Sequence, residues 1–216
     1  VNGKRRALQR LYQARKANPP PISGKDALLV TQVSFYDDVA RDTQQINALC
    51  DELEERIANK EGVFPPNCPR ILISGCPMAI PNWKLHHLLE TSGAAVVCEE
   101  SCIGTRAFSD LVAEDKQNMD DLLKAIADRY MQIHCACFTP NTERIQDILR
   151  LAKEYKVDGV VHYNLLYCHT YANEAVRVAK ALEKEGIPLL RVETDYGDDS
   201  GQLRTRIEAF LEMIQK

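Results

Sequence analysis

The stretch ILIS at residues 71–74, followed by Gly75-Cys76-Pro77, indicates the fold class of this 216-residue chain. A short run of this kind, bounded by glycine and proline, is typical of a strand buried on both faces. Similar runs recur along the chain, with helical patterns between them. They occupy residues 95–98, 131–134, 159–163 and 188–192. The alternation predicts an α/β, flavodoxin-like three-layer domain with a parallel sheet of four to five strands.

Residues 1–63 differ in character and are predicted to form a helical arm. Apolar residues at helical spacing cover about 4–17, 23–33 and 36–59. A proline-rich joint at 65–69 then leads into the flavodoxin-like domain, predicted at 64–216. Because the chain enters a helix almost at its first residue, we expect the arm to be a linker to an N-terminal domain that lies outside this sequence.

Composition argues against several classes of partner. Charged residues make up 27% of the chain and the formal net charge is −4, with no run of like charge that would favour nucleic acid. No apolar stretch approaches the roughly 18 residues of a membrane span, and no signal-peptide pattern is present. We therefore expect a cytoplasmic protein that binds neither nucleic acid nor membranes.

Eight cysteines in a chain without a secretory signal predict a metal or redox role rather than disulfides. Cys50 and Cys98 suit buried apolar positions, and Cys68 lies in the proline-flanked joint. The other five follow predicted strands, and they should share the carboxyl edge of the sheet, where open parallel sheets bind ligands. They are Cys76, Cys102, Cys135, Cys137 and Cys168.

Thiolates are soft ligands that select iron–sulfur clusters, zinc or copper(I). Cys102, Cys137 and Cys168 each precede a predicted helix, whose N-terminal dipole stabilises a thiolate. The paired CxxC and HExxH motifs that are typical of zinc sites do not occur. We therefore predict one soft-metal site, with an iron–sulfur cluster favoured.

Histidines offer an alternative chemistry. A cysteine–histidine nucleophile pair would use His134, His162 or His169, although lone histidines at strand ends more often orient ligands or support structure. His86 and His87 lie on a predicted helix and are expected at its surface.

Acidic residues also follow two of the predicted strands. Glu99-Glu100 is either a proton-transfer group, part of a solvated loop, or an ion-pair partner of Arg106. Asp195, Asp198 and Asp199 resemble a hard-cation loop, but helix capping explains them better. The sequence contains neither GxGxxG after a strand nor GxxxxGK[ST], so a classical dinucleotide or P-loop site is not expected.

Five stretches, in order, resemble the 2-hydroxyacyl-CoA dehydratases, a family that also includes benzoyl-CoA reductase subunits and double-cubane iron–sulfur proteins. They are SGCPMAIPNWKLHHLLE (74–90), EESCIGTRAF (99–108), HCACFTPN (134–141), the Cys168 loop with the helix after it, and ETDYGDDSGQLRTRIEAFLEMI (193–214). PPPISG at 19–24 also resembles the family's middle segment.

The resemblance implies two flavodoxin-like domains that hold an iron–sulfur cluster, either 4Fe-4S or double-cubane, between them. It also implies a homo- or heterodimer partner subunit, an ATP-dependent iron–sulfur activator protein that injects an electron, and an acyl-CoA substrate. In the dehydratases a ketyl radical then expels the hydroxyl group of a 2-hydroxyacyl-CoA and yields the enoyl-CoA. We expect this chain alone to be an inactive lyase fragment without a bound cluster and with free thiols.

By the same resemblance, Cys168 matches the cluster cysteine of the C-terminal domain best, followed by Cys135 and Cys102, then Cys137 and Cys76. CACFTPN and EESCIGTR are closer to the double-cubane branch, which keeps a reductase of small molecules as an alternative. A non-catalytic flavodoxin-like module that binds a metal or a nucleotide is the remaining alternative.

Overall fold

The computed structural model describes residues 1–197 and 201–215 as an α/β fold. Its strands are β1 (Arg70–Gly75), β2 (Ala95–Glu100), β3 (Gly159–Leu165) and β4 (Leu189–Thr194). Its helices are α1 (Asn2–Ala14), α2 (Gly24–Val33), α3 (Val39–Ala58), α4 (Lys84–Thr91), α5 (Thr105–Phe108), α6 (Met119–Met131), α7 (Thr142–Glu154), α8 (His169–Lys184) and α9 (Gly201–Ile214). The three-layer fold predicted from the alternating pattern is confirmed.

The four strands form one parallel sheet in the order β2-β1-β3-β4. The chain adds β2 on one side of β1 and then crosses back to place β3 on the other side. The strand order therefore reverses between β1 and β3, which opens a crevice outside their carboxyl ends. The sequence-predicted cysteine positions after these two strands fall at this crevice.

One predicted strand is wrong. Residues 131–134 do not pair with the sheet, because α6 continues to Met131 and Gln132 forms its C-cap. Both edges of β1 are already occupied by β2 and β3, and the outer neighbour of β3 is β4. The stretch HCACFTPN consequently lies in the loop between α6 and α7 rather than at a strand end.

Alternate residues of the strands face two separate hydrophobic cores. Leu72 and Val160 point into the core under α1, α7 and α8. Ile71, Ile73 and Val161 point into the core under α4 and α9. Because both faces are covered, the strands are apolar throughout, which is why they were recognisable as short continuous runs.

The helical arm predicted at 1–63 exists as α1, α2 and α3, and it packs closely against the sheet. Leu11 of α1 and Ile46 of α3 belong to the same core as Leu72 of β1. The division of the chain at residues 63 and 64 remains a prediction. None of the helices in the described ranges combines the length and apolar character needed to cross a lipid bilayer.

Candidate functional site

The crevice between β1 and β3 is fixed by close backbone contact. Cys76 donates its backbone N–H to the Tyr163 carbonyl oxygen at 2.9 Å. Gly75 before it has a φ of +128°, and a Cβ atom at this position would lie 2.0 Å from the same Tyr163 oxygen. Only glycine permits this approach, so Gly75 sets where the Cys76 side chain begins.

Cys76 and Cys168 lie next to each other in this crevice. The Cys76 thiol is buried and contacts Asn164 Oδ1 at 3.6 Å. Burial raises its pKa to about 12, and the neighbouring Cys168 adds to the increase. Cys76 is therefore a protonated thiol at neutral pH.

Cys168 has the opposite character because it is the N-cap residue of α8. Its sulfur lies 3.6 Å from the Thr170 hydroxyl oxygen. Partial burial opposes ionisation, but the Thr170 hydroxyl and the backbone N–H groups of Tyr171 and Thr170 outweigh it and lower the pKa of Cys168. A half-exposed thiol with a lowered pKa is suited to bind a soft metal.

Cys102, Cys135 and Cys137 form a second group of thiols. Cys102 follows β2 and is exposed, and Cys135 is half-buried in the α6–α7 loop, where Asn141 Nδ2 donates to its carbonyl oxygen at 2.7 Å. Hydrogen bonding to Cys135 raises the pKa of Cys137, and Cys102 adds to this. HCACFTPN therefore reaches the carboxyl edge of the sheet although no strand precedes it.

The two groups do not merge. Within residues 1–197 and 201–215, no three cysteine, histidine or acidic side chains are close enough together to hold a metal ion. All eight cysteines are free thiols, each within that part of the chain. Cys50 and Cys98 are fully buried, as their apolar positions predicted.

Glu100 is the centre of a buried charge network below the crevice. It is the last residue of β2 and is 1% exposed. Arg106 Nε lies 3.0 Å from Glu100 Oε1, and Arg144 Nη2 lies 2.9 Å from Oε2. Arg144 also pairs with Glu174 of α8. The predicted ion pair with Arg106 is confirmed, whereas the solvated-loop alternative is wrong because the strand carries the carboxylate into the interior.

Arg106 connects this network to the cysteines. It donates to the Gly75 carbonyl oxygen at 3.0 Å and to the Tyr171 hydroxyl at 2.7 Å. Burial alone would lower the pKa of Arg106, but Glu100, Tyr171 and Cys102 outweigh it and raise that pKa. Its buried Nη1 has no hydrogen-bond partner among the described residues. A buried cation with an unused donor beside thiols can stabilise an anion there.

Glu99 forms a second buried network on the opposite face of β2. Arg15 from the end of α1 pairs with it through two contacts of 2.6 and 2.8 Å, and Tyr12 donates its hydroxyl to it. His86 Nε2 lies 2.9 Å from Glu99 Oε1. Because His86 is completely buried, the prediction that it lies at the surface is wrong. This network holds the arm against the sheet.

The histidines do not provide a nucleophile pair in the described part of the chain, where no hydrogen bond joins a cysteine sulfur to a histidine nitrogen. His134 Nδ1 instead lies 2.6 Å from Asp147 Oδ2. His169 is the first residue of α8, and His162 is buried in β3.

Asp195 supports a local turn, since its Oδ1 accepts the Gly197 backbone N–H at 2.8 Å. Asp198 and Asp199, the rest of the predicted cation loop or helix cap, lie outside the described residues.

Burial, together with Arg144 and Arg191, lowers the pKa of His162 to about 3. In the unfolded chain His162 binds a proton as the pH falls below about 6.5, whereas in the folded chain it stays neutral down to about pH 3. Stability is therefore complete above about pH 6.5 and decreases as pH falls towards 3. Between pH 8 and pH 5 we expect His162 to cost about 2 kcal/mol of unfolding free energy.

Urea unfolding of the wild type and of His162→Asn at both pH values measures this cost. The variant should lose most of the pH dependence, whereas His87→Gln, at an exposed position of α4, should retain it. Equal pH dependence in His162→Asn and the wild type would contradict the assignment.

The sequence of this chain matches a known family along nearly its whole length. The family model of the 2-hydroxyglutaryl-CoA dehydratase D-component matches residues 1–214. This chain belongs to that family. The resemblance inferred from the five sequence stretches is thereby confirmed at the level of the dehydratase family.

Three relatives illustrate the range of this dehydratase family. A protein of Escherichia coli (strain K12), YjiM, whose proposed role is that of a dehydratase subunit, is 37% identical over 99% of this chain and 55% of its own length. The (R)-phenyllactyl-CoA dehydratase beta subunit of Clostridium sporogenes is 28% identical over 86% of this chain and 47% of its own. The (R)-2-hydroxyglutaryl-CoA dehydratase subunit beta of Acidaminococcus fermentans is 22% identical, with coverage of 99% and 56%. The chain spans about half the length of these relatives.

The donor set of this family member suits an iron–sulfur cluster in kind but not in arrangement. Five thiols lie along one edge, and the pKa of Cys168 is lowered. Iron–sulfur clusters are held mainly by four thiolates. The described residues do not bring even three such groups together, so they do not by themselves form a four-thiolate site.

Proposed function

We propose that this chain is part of a 2-hydroxyacyl-CoA dehydratase that removes water from a 2-hydroxyacyl thioester. The C2–O bond and a C3–H bond break, an enoyl-CoA forms, and hydroxide and a proton leave as water. The observation that carries the proposal is the half-exposed thiol of Cys168 at the N-cap of α8, in the β1–β3 crevice of a chain of the dehydratase family. More specifically, we propose that this dehydration proceeds through a radical and takes place in the cytoplasm.

Cys168, Cys102 and Cys135 are the residues that we propose as cluster ligands, with Cys137 and Cys76 as further candidates. An iron–sulfur cluster, when bound, supplies low-potential electrons and a Lewis-acidic iron. Because the described residues do not complete such a site, we propose that further ligands come from another domain or subunit. Two relatives are beta subunits, which supports a partner subunit. An ATP-dependent iron–sulfur activator protein is also part of the proposal.

Arg106 has a separate role in this proposal. Its unused Nη1–H lies among buried groups beside the thiols. A fixed positive charge there stabilises a thiolate or a negatively charged thioester oxygen without reorganising during the reaction. Glu100 and the Tyr171 hydroxyl hold the guanidinium in place, so this donor is preorganised.

Replacement of Cys168 tests the ligand assignment. After anaerobic reconstitution of the complete assembly, Cys168→Ser should bind less than half of the wild-type iron and sulfide, because serine is a poor soft-metal ligand. Its dehydratase activity should fall by roughly 100-fold or more, since loss of even an outer partner of a metal site costs 10–100-fold.

Cys68→Ala is the matched control, because Cys68 is buried far from the crevice beside the start of β1. Its iron content and electron paramagnetic resonance spectrum should equal those of the wild type. Unchanged iron and an unchanged spectrum in Cys168→Ser would show that Cys168 is not a ligand.

The number of thiols favours one second candidate, a double-cubane reductase of small molecules. Five cysteines along one edge exceed the four that a single 4Fe-4S cluster uses. Iron analysis separates the two candidates, with roughly four iron atoms per chain for a simple cluster and roughly eight for a double cubane. Absence of iron would favour a non-catalytic binding module.

A further inference from the structure

A cavity of about 700 Å³ opens beside the cysteine edge, between the segment that follows β1 and the segment that follows β4. Its wall includes Lys25, Ile80, Trp83, Lys84, His87 and Tyr196. This volume lies within the range of roughly 300–1,000 Å³ that small-molecule sites occupy. A cavity of similar size lies at the opposite edge of the sheet, near Pro69 and Gly93, away from the strand ends where parallel sheets bind ligands.

Side-chain hydrogen bonds hold the walls in place. Trp83 Nε1 donates to Gln32 Oε1 at 2.7 Å, and Gln32 Nε2 donates to the Met78 carbonyl oxygen at 2.7 Å. Lys84 Nζ donates to Thr194 Oγ1 at 3.0 Å and to the Gly197 carbonyl oxygen at 2.8 Å. The indole ring and the segment after β4 are thus fixed before any ligand arrives, which lowers the entropic cost of binding.

The lining combines aromatic surface with positive charge. Tyr196 is 60% exposed and Trp83 is half-buried, so both rings are available for stacking. Lys25 and His87 are exposed at the same cavity, and no carboxylate lines it within the described ranges. Glu90 accepts from the backbone N–H groups of Gly24 and Lys25, and the described residues form no hydrogen bond or ion pair with the Lys25 amine. Stacking rings and amines together recognise a phosphorylated purine.

The cavity is close to the cysteines along the chain. Only two residues separate Cys76 from Ala79, where the cavity wall begins. Three extended residue steps span at most about 11 Å. A nucleotide held here would leave a flexible arm within reach of the β1–β3 crevice.

We propose that this cavity binds the 3′-phospho-ADP end of a coenzyme A thioester. Its adenine stacks on Trp83 or Tyr196, and Lys25 and His87 contact its phosphates. The inference rests on the proposed function, because it assumes that the substrate is an acyl-CoA.

Trp83 is the only tryptophan of the chain, so its fluorescence reports on this cavity alone. Coenzyme A and 3′,5′-ADP should both quench it saturably, whereas adenosine, which lacks phosphate, should bind at least tenfold more weakly. Lys25→Gln should weaken coenzyme A binding by roughly tenfold through loss of a charged contact. Tyr196→Leu should weaken it by roughly fivefold or more through loss of stacking.

Lys180→Gln on α8 and Tyr36→Leu are the matched controls, because both residues are exposed and neither lines the cavity. They should bind coenzyme A like the wild type. Calorimetric binding of coenzyme A without quenching, or unchanged affinity in Lys25→Gln and Tyr196→Leu, would overturn the cavity assignment and leave the proposed function intact. A different result would contradict the proposed function itself, namely a reconstituted assembly that binds no iron and converts no 2-hydroxyacyl thioester.

Discussion

Replacing Arg15 by methionine should destabilise the protein by roughly 3–5 kcal/mol, because removal of one partner leaves a buried charge uncompensated. Arg15 and Glu99 are 1% and 0% exposed, and they are joined by two charge-assisted contacts. Burial alone would raise the pKa of Glu99, but Arg15 outweighs it and holds that pKa far below its ordinary value. Methionine keeps most of the volume of arginine and removes the charge. Urea unfolding at pH 7 measures the loss.

Arg10→Met is the matched control, since Arg10 lies on the same helix and pairs with Asp51 and Glu54 at the surface. Exposed ion pairs contribute little, so its effect should be much smaller. Below the unfolded-state pKa of a glutamate, about 4.3, the difference between Arg15→Met and the wild type should shrink, because the unfolded wild type then binds a proton that folded Glu99 beside Arg15 does not, whereas the folded variant can protonate Glu99. Equal destabilisation by the two variants at pH 7 would contradict the assignment.

The sheet was predictable because both of its faces are covered. β1 and β3 are buried along almost their entire length, so their apolar runs stood out against the amphipathic helices. The prediction of a strand at residues 131–134 was wrong because a few apolar residues can equally end a helix. Here Met131 ends α6, Gln132 is its C-cap, and residues 133–134 begin the α6–α7 loop.

The cysteine edge was predictable from topology, but the arrangement of its thiols was not. Because Cys76, Cys102 and Cys168 each follow a strand, the sequence places them at the carboxyl edge of the sheet. It does not show that Cys76 is buried with a raised pKa, whereas Cys168 is half-exposed with a lowered pKa. That difference comes from the N-cap position of Cys168 and from the contacts of Thr170, which only the folded backbone defines.

The buried charge networks were largely missed, although a signal for them exists. Arg144 lies four residues before Ile148, on the buried face of α7. Arg15 likewise follows Leu11 by four residues and continues the buried face of α1. A charged residue in line with an apolar helix face predicts a buried partner. The sequence does not name the partner, because Arg15 and Glu99 are 84 residues apart.

Replacing Arg144 by methionine should cost roughly 3–5 kcal/mol as well, and it should also loosen the cysteine edge. Arg144 is completely buried and links Glu100 of β2, Ser74 of β1 and Glu174 of α8. Without it, Glu174 loses its only ion-pair partner among the described residues, whereas Glu100 keeps Arg106. The first turns of α8 would therefore separate from β1, and these are the elements that carry Cys168 and Cys76.

Thiol labelling followed by mass spectrometry should detect that separation. Cys76 is 2% exposed, so it should resist alkylation in the wild type and react in Arg144→Met. Arg150→Met, on the same helix but half-exposed and paired with Asp147 and Glu154, should leave Cys76 protected. Adding Glu174→Gln to Arg144→Met should recover part of the stability, because it removes the unpaired buried charge. If the double variant is no more stable than Arg144→Met, uncompensated charge is not the cause of the loss, and packing of the arginine side chain explains it instead.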